Sequence, residues 1–84
     1  MPYIKFGERH ALALDLPDGL SSGQLNFILT DIVNQWVGPM PDYARLNEAI
    51  GVLECAKLEA YRRIAAPYED KKCAENGDVY TERG

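Results

Sequence analysis

Eighty-four residues make at most one small domain, and a chain this short hides a smaller share of its surface than a long one. With 46% hydrophobic and 26% charged residues the composition is that of a soluble globular protein, and no apolar run reaches the roughly 18 residues of a membrane span. The net charge of −4 argues against general affinity for DNA or RNA backbones, which need a basic face.

The chain order begins with an N-terminal arm over residues 1–21. Met1-Pro-Tyr-Ile-Lys lacks the basic start and apolar core of a secretory signal. Tyr3 and Ile4 are its anchors. Ala11 to Leu14 admit either a helical turn or a weak alternation, and Pro17-Asp18-Gly19 is a turn by composition. The first clear helix spans 22–37. Ser21 and Gln24 have capping-box spacing, with Ser22 as a competing cap. Leu25, Ile28, Leu29, Ile32, Val33, Trp36 and Val37 follow at i, i+3, i+4, i+7, i+8, i+11 and i+12, an amphipathic stripe. Gly38 suits the left-handed position after a helix, and Pro39 cannot continue one. The short Gly38–Asp42 connection predicts an antiparallel helical hairpin.

A second helix is expected over 42–65, with Asp42 as its cap and Pro67 disfavouring continuation. Its stripe is Leu46, Ala49, Ile50, Leu53, Ala56, Ala60, Tyr61 and Ile64. Val52, Cys55 and Leu58 fall outside that stripe, so this helix is apolar on more than one side. One neighbouring helix cannot cover both sides, and we assign these three residues to an interface with the tail or with another copy. A short third helix is expected over 67–76, closed by Asn76-Gly77, with a tail over 77–84. The predicted fold is mainly α: an antiparallel hairpin, a short C-terminal helix and an extended N-terminal arm, in a homo-oligomer.

Charge is unevenly placed. Lys57 to Lys72 hold five bases and three acids, a local +2, while the other residues sum to −6. A small basic site on an acidic body suits a compact anion. Lys57 falls within the apolar arc of its helix. It is either a stem packed on apolar surface beside an acid such as Glu54, or a cation facing a ligand. Arg62 and Arg63 either favour the helix C-terminal dipole or grip phosphate or carboxylate in a planar, bidentate way. Adjacent residues point about 100° apart, so both serve one ligand only if a second copy contributes. Lys71 and Lys72 extend the basic set. Tyr61 and Tyr68 are either half-buried packing residues or stacking platforms for a base.

Cys55 and Cys73 are read as reduced thiols, His10 as a surface residue, and no catalytic, phosphate-loop or metal-ligand pattern emerges. The expectation is therefore not an enzyme, with no cofactor.

The segments Met1-Pro-Tyr-Ile-Lys, Gly23-Gln-Leu-Asn-Phe-Ile-Leu-Thr, Leu46 to Arg63, Pro67-Tyr-Glu-Asp-Lys-Lys and Glu75-Asn-Gly-Asp-Val-Tyr together resemble a family of small uncharacterised proteins of tailed phages and bacterial prophages. That resemblance implies a phage or prophage origin and a setting in the cytoplasm of a bacterial host. Small phage proteins of this kind often bind host machinery or host immune signals. The expected function is a sponge that sequesters a small anionic ligand, such as a nucleotide immune signal, between subunits. The alternative is a helical module that binds a host or phage protein.

Overall fold

The structure, a computed structural model, describes residues 2–81 and is helical throughout its regular elements: α1 (Phe6–Leu12), α2 (Ser22–Val37), α3 (Tyr43–Ala60), a π-helical turn (Tyr61–Ala65) and α4 (Ala66–Asn76). Among the described residues there is no strand. The chain divides into two compact units, Met1–Leu53 and Glu54–Gly84, and the division falls within α3.

In the first unit the N-terminal arm carries a short helix, α1, where an extended segment was expected. Arg9 holds its start, donating from Nε to the Ile4 carbonyl at 3.3 Å and lying 5.6 Å from the Phe6 ring centroid. The turn at Asp18-Gly19 uses a left-handed glycine, Gly19 at φ 73°. Helix α2 then starts from a complete capping box. Gln24 N–H donates to Ser21 Oγ at 3.1 Å, and Ser21 N–H donates to Gln24 Oε1 at 2.9 Å. Two amide hydrogens that lack an intrahelical partner are thereby satisfied. Gly38, at φ 80°, ends the helix and donates its N–H to the Asn34 carbonyl.

Asp42 caps α3 by accepting from Arg45 N–H at 2.8 Å. Arg45, on the first turn of α3, reaches back to the last turn of α2. Its Nη2 donates to the Trp36 carbonyl at 2.6 Å, and its guanidinium carbon lies 3.9 Å from the Trp36 ring centroid. One side chain thus satisfies a carbonyl at a helix end and stacks on the indole beside it.

The second unit differs from the sequence expectation at Pro67. Helix was expected to stop near Ala65, yet α4 begins at Ala66 directly after the π turn. Pro67 has no N–H, and in an α-helix its ring would strike the carbonyl four residues earlier, on Arg63. The backbone answers by widening. Ala66 N–H donates to the Tyr61 carbonyl five residues back, and helix resumes with Pro67 in its first turn, where a missing N–H costs least. Gly77, at φ 89°, closes α4.

Burial is nearly absent. Ala49, 7% exposed, is the one buried residue among those described. The α2 stripe is formed but uncovered: Leu25, Leu29, Ile32 and Trp36 each keep 40% or more of their surface.

Candidate functional site

The residues expected to meet a ligand all lie in the second unit, on α3, the π turn and α4. Lys57 is not enclosed by its apolar arc: its side chain is 70% exposed and pairs with Glu54 at 3.1 Å. Its stripe is itself uncovered, so nothing confines the ammonium. Arg62 pairs with Glu59, its Nη2 lying 3.0 and 3.3 Å from the two carboxylate oxygens. Lys72 pairs with Glu75 at 3.4 Å and sits 5.5 Å from the Tyr68 ring centroid. These are three pairs at i,i+3 spacing on exposed surface, a geometry worth a few tenths of a kcal/mol each.

Arg63 and Lys71 stand differently. Both are exposed, and neither forms a salt bridge among the described residues. They are the cations of the expected set that remain available to an outside anion. Tyr61 and Tyr68 are 57% and 61% exposed, so each offers a ring face to a partner. Of the residues assigned to an interface, Val52 and Leu58 are 61% and 55% exposed, and Cys55 is half-buried. Both cysteines are free thiols.

Two open grooves, one in each unit, were not legible in the sequence. In the second unit Tyr61, Ala66 and Cys73 face the tail residues Val79 and Tyr80. The π turn puts Tyr61 and Ala66 on one face, and Tyr80 N–H donates to Asp78 Oδ1 at 2.9 Å to turn the tail. Glu69, Asp70 and Asp78 line this groove with Lys72, so its charge is net acidic. A compact anion gains nothing there from a single chain. In the first unit Leu29, Val33, Val37 and Leu53 form an apolar floor edged by Asn26, Thr30 and Asn34, with no charged residue in the lining. Neither groove follows a motif. Leu53 meets the flank of the α2 stripe only once the chain has turned at Gly38–Asp42.

Among the described residues no helix is long and apolar enough to cross a membrane, and no group of three or more His, Cys, Asp or Glu is placed to hold a metal ion. A family model described as a domain of unknown function, DUF6899, matches residues 1–79, and the chain belongs to that family. No curated protein and no solved structure matches it.

Proposed function

We propose that this DUF6899 protein is a non-enzymatic binding protein that works as an assembly of its own copies, with a small anionic ligand held where copies meet. The observation that carries this reading is the burial: of the described residues only Ala49 is removed from solvent. Ordering a residue costs on the order of 1–2 kcal/mol of backbone entropy, and buried apolar surface is the main offset. A chain that buries so little on its own gains that offset from a partner. A second copy is the partner always present at equal amount.

The ligand part of the reading rests on Arg63 and Lys71, which have no carboxylate partner, beside the exposed rings of Tyr61 and Tyr68. Arginine with an aromatic face suits phosphate joined to a flat base. The resemblance to small phage proteins extends this to a nucleotide immune signal in a bacterial host. Calorimetric titration with cyclic and ADP-ribose-type nucleotides tests it. Micromolar binding, lost in Arg63→Ala with folding intact, is the expected result, and no binding across the panel removes the ligand from the account.

A second reading is favoured by Val52 and Leu58, which are apolar and more than half exposed. On that reading the chain is a helical module for a host or phage protein, and the bases only steer the encounter. A stoichiometric protein partner lost in Val52→Asp or Leu58→Asp, with no nucleotide bound, would select it.

A further inference from the structure

The uncharged groove of the first unit has a property the rest of the chain lacks. The chain carries a net charge of −4, so two copies repel wherever charged surfaces meet. At the groove floored by Leu29, Val33, Val37 and Leu53 they do not, because its lining has no charged residue. Its edge amides and hydroxyl can hydrogen-bond to their own kind. Thr30 Oγ1 already donates to Asn26 Oδ1 at 3.2 Å, and Asn34 adds both donors and acceptors.

We propose that this groove is the surface on which a second copy of the chain docks, α2 against α2, in an isologous contact. It rests on the assembly reading above and names the surface that assembly uses. A two-fold contact sets each residue's patch against the same patch, so only a surface free of net charge is self-complementary in an acidic protein. Area points the same way. The chain exposes 7961 Å², whereas a folded monomer of 9.4 kDa exposes about 5,000 Å². The excess exceeds the roughly 800 Å² per partner of an ordinary stable interface and matches the obligate class. An unrelated protein could also fill an apolar groove, but it would leave the isolated chain monomeric.

Sedimentation equilibrium of the full chain and two variants is the test. Thr30→Arg places two like charges across the two-fold contact and alters a position already exposed in the single chain. Gln35→Arg adds the same charge about 140° around α2, away from the groove. The expected result is a wild-type mass that is a multiple of 9.4 kDa, weakened by roughly a hundredfold in dissociation constant in Thr30→Arg and unchanged in Gln35→Arg. An oligomeric wild type whose mass survives Thr30→Arg overturns this surface and leaves the assembly reading standing. A folded wild-type monomer overturns both. If Thr30→Arg loses helical circular dichroism at low concentration while Gln35→Arg keeps it, the coupling of folding to this contact supports the proposal.

Discussion

At the scale of single residues, the strongest polar contact in the molecule is not among its basic site candidates. Arg45 gives the Trp36 carbonyl a charge-assisted hydrogen bond at 2.6 Å and covers the indole at 3.9 Å. Removing both in Arg45→Ala is expected to lower stability by about 1–2 kcal/mol, read by thermal or urea unfolding. Arg45→Lys should recover only part, because an ammonium lacks the planar fork that stacks and donates together. A loss no larger than that of Lys57→Ala would contradict this role. The Lys57–Glu54 pair is exposed, so Lys57→Ala is expected to shift stability by less than about 0.5 kcal/mol. The sequence placed Lys57 inside an apolar arc and Glu54 within pairing reach. The pairing formed, but the enclosure did not, because the arc around it has no cover within the described chain.

Among the elements, α2 was the most legible. A capping box, a 3.6-residue apolar period and a glycine followed by proline mark its ends in sequence, and each corresponds to a local backbone requirement. Ser21→Ala removes one arm of the box and is expected to cost about 1 kcal/mol, checked by thermal unfolding; an unchanged midpoint would mean that the cap is dispensable. The π turn was not legible. The rule that proline disfavours preceding helix is sound, yet it omits the option of one wider turn that lets helix resume at Ala66. Pro67→Ala restores an N–H and removes the ring, so the turn is expected to close as ordinary α-helix. That change would rotate α4 away from the face it shares with Tyr61 and detach the tail at Val79 and Tyr80. A variant structure that keeps the Ala66 to Tyr61 hydrogen bond would show that proline is not its cause. The short helix α1 lay within the segment where the sequence left helix and extended chain open, since seven residues give too little periodicity to decide.

For the whole molecule, the sequence announced apolar stripes and a second apolar side on the helix expected over 42–65. It could not announce that the stripes remain uncovered, because periodicity says which face is apolar and not what lies against it. Val52, Leu58, Trp36 and Leu29 are all 40% or more exposed. If copies supply the missing cover, folding and assembly are one event, and the thermal midpoint rises with protein concentration. A midpoint constant over a hundredfold dilution would speak against that coupling. The most direct test is the mass of the full chain in solution at micromolar concentration, read by sedimentation equilibrium with circular dichroism on the same sample. The account predicts a helical species whose mass is an integer multiple of 9.4 kDa, at least two. A cooperatively folded, helical species at 9.4 kDa would contradict it.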